Sequence, residues 1–192
     1  MSDIAIPTEP TNTYEFNPSI VTKEEVQSFI GSKFSSFEKN VDFSLASRER
    51  LRTKDKSIKV NRVYFSFVPW SLITGVCWFF YRKMYILPIF LFVFAFALGA
   101  FFDISGPNYA CAIVPFVAGK FLYTEFSIRT ILKLKKKLVK NNAVPKNKED
   151  FLNMLAAKGG VSLTSGIVSA VALLGIAILA GYFAYITALA PK

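Results

Sequence analysis

Two basic blocks separated by three apolar runs constrain this chain more than any other feature. Short cationic flanks of membrane segments collect on the cytoplasmic side, which limits how often the chain between two such blocks can cross. The first block, Arg48 to Arg62, carries Arg48, Arg50, Arg52, Lys54, Lys56, Lys59 and Arg62 against Glu49 and Asp55. The second carries Arg129, Lys133, Lys135, Lys136, Lys137, Lys140, Lys146 and Lys148 before its first acid, Glu149. Between them lie Val63–Phe80, Tyr85–Phe102 and Tyr109–Phe126, the last interrupted by Pro115, Lys120 and Glu125. A further run, Val161–Ala190, has no charged residue and exceeds the roughly 20 residues needed to span the hydrocarbon core, so a transmembrane helix is expected there.

Composition points the same way. With 53% hydrophobic residues and 20 Phe in 192 residues and a mean hydropathy of +0.39, the chain is too apolar for an ordinary soluble domain. A net charge of +10 can signal nucleic acid, but here the cations sit in blocks beside apolar runs, as on cytoplasmic membrane flanks. The expected partners are therefore anionic lipid headgroups rather than nucleic acid. Residues 1–20 contain Asp3, Glu9 and Glu15 and no cation, so no secretory signal is expected. Cys77 and Cys111 lie within apolar stretches without CxxC spacing, so neither a disulfide nor a metal site is expected.

Placing both basic blocks in the cytoplasm requires an even number of crossings, yet three apolar runs intervene. Val63–Phe80 is the one expected to enter and leave on the same face. As continuous helix it would be about 27 Å long, but Pro69 interrupts it, Ser66, Ser71, Thr74 and Gly75 dilute its middle, and Tyr64, Trp70, Trp78 and Tyr81 favour the membrane interface. Halved at Pro69 to Gly75, it can form a re-entrant or interfacial hairpin if protein covers the broken backbone. Arg82 and Lys83 then remain cytoplasmic, and the cation-free turn from Asp103 to Asn108 faces outward. The alternative is a fourth crossing with Arg82 and Lys83 outside.

The expected fold is thus an all-α membrane protein with three transmembrane helices, a re-entrant or interfacial aromatic hairpin and an N-terminal cytoplasmic amphipathic helix. Residues 1–21, rich in Thr, Pro, Asn and Ser, read as an irregular tail. Residues 22–62 read as an amphipathic helix and a basic linker: Thr22 and Glu25 have capping-box spacing, and Val26, Ile30, Phe34, Phe37 and Val41 share one face. Packing on a neighbouring element is preferred for that face over the lipid headgroup region. Residues 63–126 comprise the hairpin and two crossings, 127–160 a basic amphipathic segment, and 161–192 the final helix. The N-terminus is then cytoplasmic and the C-terminus outside. Gly159 and Gly160 are expected to end a short helix containing Phe151, Leu152 and Leu155, with Ser162 opening the last one.

The stretch Trp78–Tyr85, "WFFYRKMY", preceded by "VYFSFVPWSL" and an upstream "FIGSKFSSFEK", resembles the bacterial membrane proteins grouped as domain of unknown function 2628, and the resemblance extends to "GGVS" before the final apolar run. In that family the first aromatic segment commonly reads Phe-Asn-Trp and then Gly-Pro, where this chain has Tyr64-Phe65-Ser66 and Val68-Pro69. The resemblance implies a small polytopic inner-membrane protein and supplies no activity.

Candidate contacts to lipid or a partner are Trp78, Tyr81, Arg82, Lys83 and Tyr85, where aromatic faces favour a nearby cation and the pair could bind an anionic headgroup or a carboxylate; a topology anchor is the plainer use. In "RTILKLKKKLVK", Ile131, Leu134 and Leu138 share a face, while Lys133, Lys135, Lys136, Lys137 and Lys140 occupy the rest. Such a helix can lie on the membrane with its ammonium groups at phosphates, or recruit an acidic protein. Small residues of the last run, among them Gly166, Ala170, Ala172, Ala180 and Ala184, allow close approach of another helix or a second copy. The chain has no histidine, no Gly-rich phosphate loop and no Ser nucleophile elbow, so no enzyme and no cofactor is expected. Asp103 is expected hydrated at the outer turn. Glu125, near Lys120, pairs or snorkels, and becomes a transport residue only if it faces a water-filled cavity. The function expected is a non-enzymatic accessory, adaptor or lipid-organising subunit of the inner membrane, with a small oligomeric channel or transporter as the alternative.

Overall fold

The computed structural model describes residues 16–60, 67–68, 75–102 and 107–189, and among them every regular element is helical. In order these are α1 (Lys23–Ile30), a 3-10 turn (Gly31–Ser36), α2 (Glu38–Thr53), α3 (Cys77–Tyr81), α4 (Ile86–Phe102), α5 (Pro107–Lys140), α6 (Lys148–Lys158) and α7 (Leu163–Leu189). The all-α class is as the sequence predicts.

The capping box forms as its spacing predicts: the Glu25 amide donates to Thr22 Oγ1 at 3.3 Å and the Thr22 amide to Glu25 Oε2 at 3.0 Å. The predicted face is also buried, with Val26, Ile30, Phe34, Phe37 and Val41 all in the core. They do not share one helix. Gly31 caps α1 at φ +79°, the 3-10 turn re-aims the chain, and α2 then runs through Arg48, Arg50 and Arg52, where a linker was expected. Of the expected irregular tail, residues 1–15 lie outside the described residues; residues 16–21 form no helix and are docked, with Phe16 meeting the Phe151 ring edge-on at 5.3 Å.

Tyr109–Phe126 and the basic segment after it form a single helix. α5 passes through Pro115 and reaches Lys140, 34 residues in all, or about 51 Å at the rise of an α-helix. Its second half packs with α1 and α2, joining Ile128, Ile131 and Leu134 to Val26, Phe29, Phe37, Phe151 and Leu155 in one core. Each large side chain so buried contributes on the order of 1.5–3 kcal/mol. Around the first half, α4 packs on α5 and α7 on α3. This half of the molecule presents exposed apolar side chains, among them Ile89, Phe90, Val93 and Phe94 on α4 and Ile167, Val171, Leu174 and Ile178 on α7.

Among the described residues one stretch, within Lys148–Ile176, is long and apolar enough to cross a membrane by length and composition, and its most apolar window is 6% buried. They support one crossing where the sequence led us to expect three. α4, expected to cross, has 17 residues, about 26 Å of helix.

The expected aromatic hairpin is described at its two flanks. Ile58 lines a cavity with Leu45, Ile128 and Leu132. Further on, the Val68 amide donates to the Phe116 carbonyl at 3.0 Å, and Phe67 stacks on Phe116 at 5.0 Å. The chain then returns along α5: Trp78 lies against Gly119 and Arg82 against Tyr123. Residues 61–66 and 69–74, with the Pro69 turn, lie outside the described residues, as does Asp103.

Candidate functional site

The sequence elements singled out above meet at one junction between the apolar half and the helical head. α3 ends with two hydrogen bonds typical of a left-handed helix stop: the Met84 amide donates to Phe79 O and the Lys83 amide to Phe80 O, both at 2.9 Å. The residue at the left-handed position is Lys83, at φ +59°, where glycine is usual and another residue costs roughly 1–2 kcal/mol. Its side chain offsets that cost. Lys83 Nζ donates to the Gly159 carbonyl at 2.6 Å and the Lys158 carbonyl at 3.4 Å, so the ammonium sits at the C-terminus of α6, where the helix dipole favours a cation.

The double glycine is fixed by close approach. A Cβ on Gly159 would lie 1.9 Å from the Phe29 carbonyl oxygen, and Gly160, at φ +70°, donates its amide to that oxygen at 2.7 Å. The Ser162 amide donates to Tyr81 O at 2.8 Å, Tyr123 Oη donates to Gly160 O at 3.1 Å, and Ser162 Oγ caps α7 by accepting from the Ser165 amide. "FIGSK", "WFFYRKMY" and "GGVS" are thus hydrogen-bonded neighbours.

Arg82 lies at the centre, 7% exposed. Its guanidinium carbon is 4.9 Å from the Phe37 and Tyr123 ring centroids and 5.8 Å from those of Trp78 and Tyr81. A desolvated cation–π contact contributes about 2 kcal/mol, against an effective penalty of several kcal/mol for burying an ion. No carboxylate pairs with Arg82 among the described residues, and neither Nε nor Nη1 finds a hydrogen-bond partner there. A pocket of about 270 Å³ adjoins it, lined among others by Lys83, Tyr85, Thr130 and Lys158. Trp78 is buried, and the Tyr85 hydroxyl lies 3.2 Å from Ser165 Oγ.

The lysine run divides. Lys133, Lys136, Lys137 and Lys140 are exposed. Lys135 is not: its side chain is 2% exposed and its Nζ lies 2.6 Å from Glu25 Oε1, itself 4% exposed. It also donates to the Ile20 carbonyl at 2.7 Å and the Asn17 carbonyl at 3.1 Å. This corrects the expectation that Lys135 meets lipid or a partner, because a buried ammonium stays charged only when paired and hydrogen-bonded. Ile131 and Leu134, expected to face lipid, are buried in the head instead.

Glu125 is paired from another helix. Arg48 Nη2 lies 2.5 Å from Glu125 Oε2, with Arg129 at 4.0 Å, so the carboxylate ties α2 to α5. Sequence spacing offered Lys120 as its neighbour and gave no sign of Arg48, which lies 77 positions away. It likewise gave no sign of the Phe37 and Tyr123 rings around Arg82, because neither pairing is local. The stripe of small residues is described at Gly166, where an added Cβ would approach Tyr81 at 3.3 Å; the side chains of Ala177, Ala180 and Ala184 lie outside the described ones.

No curated protein and no solved structure matches the chain. A family described as "Protein of unknown function (DUF2628)" matches residues 18–130, a span that holds α1 to α4, the Trp78–Tyr85 stretch and most of α5 but stops short of the double glycine. Because that span is more than half of the chain, the protein belongs to this family.

Proposed function

We propose that this is a multi-pass protein of a bacterial inner membrane, without enzymatic activity, that presents a basic helical head to an acidic protein partner in the cytoplasm. The observation that carries the reading is the continuity of α5. If its apolar half is in lipid, the same helix projects about 21 Å from Phe126 to Lys140, a distance at which surface charge on the bilayer is largely screened. Lys136, Lys137 and Lys140 are then carried away from headgroups, which favours protein recruitment over lying on the membrane. The exposed apolar faces of α4 and α7 are what lipid would cover.

The same reading keeps three crossings, by α4, the first half of α5 and α7, with Val63–Phe80 re-entrant. Its flanks support this: Ile58 and Arg82 sit toward the basic end of α5, and Phe67 and Val68 lie deeper, at Phe116. The N-terminus is then cytoplasmic and the C-terminus outside.

A photoreactive side chain at Lys140 in living cells tests the proposal. A discrete protein adduct, lost when Lys133, Lys136, Lys137 and Lys140 are changed to glutamate, is expected; lipid adducts alone would overturn it. The transporter alternative needs Glu125 open to water, and the Arg48 pair argues against that. Glu125→Gln should leave solute and proton flux in liposomes unchanged.

A further inference from the structure

We propose that the pocket beside Arg82 binds a phosphate group, supplied by a lipid headgroup. The proposal deepens the function above and rests on it only for the source of the phosphate.

The pocket has the chemistry of an anion site. Its described lining residues include Arg82, Lys83 and Lys158 and no carboxylate. Arg82 lines the pocket, is more than nine-tenths buried and pairs with no carboxylate among the described residues, so its charge is left for an anion beside it to offset. Lys83 donates to the Gly159 and Lys158 carbonyls, which leaves one of an ammonium's three donors. Tyr85 and Thr130 line the same pocket. At about 270 Å³ the pocket equals the liquid volume of roughly nine waters, room for a phosphate and a small polar headgroup but not for acyl chains.

Position argues for a lipid source. The pocket lies where the exposed apolar faces give way to the helical head, the depth at which headgroup phosphates sit if the apolar half is in a bilayer. Tyr81, next to Arg82 in sequence, also lines an apolar groove of about 780 Å³ between α3 and α7, with Leu163, Ile167 and Leu174. A lipid with its phosphate at Arg82 has an apolar surface beside it for a chain.

The test uses the full-length protein, thermal unfolding and native mass spectrometry. The probes are inorganic phosphate in detergent, and nanodiscs of phosphatidylcholine with or without phosphatidylglycerol. Phosphatidylglycerol is expected to raise the unfolding temperature saturably and to be retained as one or a few molecules. Lys158→Glu, which inverts charge at an exposed pocket residue without touching the core, should weaken the effect about tenfold. Lys136→Glu, on the same head but outside the pocket, should leave it unchanged. Stabilisation by inorganic phosphate alone would overturn the lipid source while keeping the phosphate site. Absence of any effect from both probes, or equal losses in Lys158→Glu and Lys136→Glu, would overturn the site itself. A soluble glutamate-rich peptide that binds as tightly as phosphatidylglycerol would overturn the choice of phosphate over carboxylate. Because none of these readouts depends on a protein adduct at Lys140, failure here and failure of the adaptor reading remain distinguishable.

Discussion

Removing the Lys135 ammonium should destabilise the head far more than removing any of its neighbours in the lysine run. Its Nζ lies 2.6 Å from Glu25 Oε1, both side chains are almost fully buried, and two backbone carbonyls complete its shell. Lys135→Met keeps the stem's apolar packing but leaves the Glu25 carboxylate buried without its charge partner, a loss of about 3–5 kcal/mol. Glu25→Gln leaves a group that can still serve the capping box but strands the ammonium, with a cost of similar size. The double variant removes both charges and should recover much of the loss, since a buried pair replaced by neutral groups is often close to neutral. The two single effects are therefore expected to be non-additive by about 2–3 kcal/mol. At about 2–4 °C per kcal/mol for a chain of this size, Lys135→Met should lower the midpoint of thermal unfolding, followed by circular dichroism in detergent, by roughly 6–20 °C. Lys136→Met should stay within about 0.5 kcal/mol of the parent. A Lys135→Met variant as stable as Lys136→Met, or strictly additive single effects, would refute the buried pair.

Other outcomes follow from the junction and the surface. Gly159→Ala places a methyl group against the Phe29 carbonyl and should cost more than about 3 kcal/mol, whereas Gly160→Ala meets no neighbour within 4 Å and should cost only the roughly 1–2 kcal/mol of a left-handed residue; equal effects in thermal unfolding would contradict the close approach. Lys83→Gly loses the ammonium contacts but relieves its left-handed backbone, while Lys83→Met loses the contacts and keeps the strain, so stability should fall in the order parent, Gly, Met, with Gly and Met about 1 kcal/mol apart. A methionine variant at least as stable as the glycine one would contradict this.

The pH profile of unfolding should be flat between about pH 5 and 9, because the chain has no histidine. Hydrogen bonds from Arg52 hold Glu49 below its ordinary 4.5, and those from Ser57 hold Asp55 below 3.8. Their contributions are complete above those values and fade as pH falls through the lowered ones. Hydrogen bonds to Glu38 and Asp42 raise Lys23 above 10.5, so its contribution is complete below that value and fades as pH rises through the raised one. All three side chains are well exposed or screened, so both limbs should be shallow; a steep change near neutrality would contradict the assignment.

Local signals in the sequence were reliable where the structure is local. Thr22 and Glu25 cap α1, the double glycine makes the elbow after α6, and the spacing of Val26, Ile30, Phe34, Phe37 and Val41 identifies the buried face. That face survives the break at Gly31 because the 3-10 turn changes the direction of the chain without turning those five side chains out of the core. The site was legible only in part. Arg82 and Lys83 stood out as cations among aromatics, but the carbonyls that hold Lys83 and the two nearest rings around Arg82, those of Phe37 and Tyr123, come from residues far away in sequence. Lys135 shows the limit most plainly: nothing in "KLKKKLVK" separates it from its neighbours, because its burial is set by Glu25, Asn17 and Ile20 on the opposite side of the core.

Cysteine accessibility tests the central claim, a basic head in the cytoplasm on an apolar half in lipid, most directly. In a background with Cys77→Ser and Cys111→Ser, single substitutions Ser57→Cys, Lys136→Cys and Asn142→Cys should react with an impermeant maleimide only when the cytoplasmic face is opened, and Ser105→Cys and Lys192→Cys should react in intact cells. Reaction of Lys136→Cys from outside intact cells, or labelling of Ser57→Cys and Asn142→Cys from opposite faces, would contradict the account.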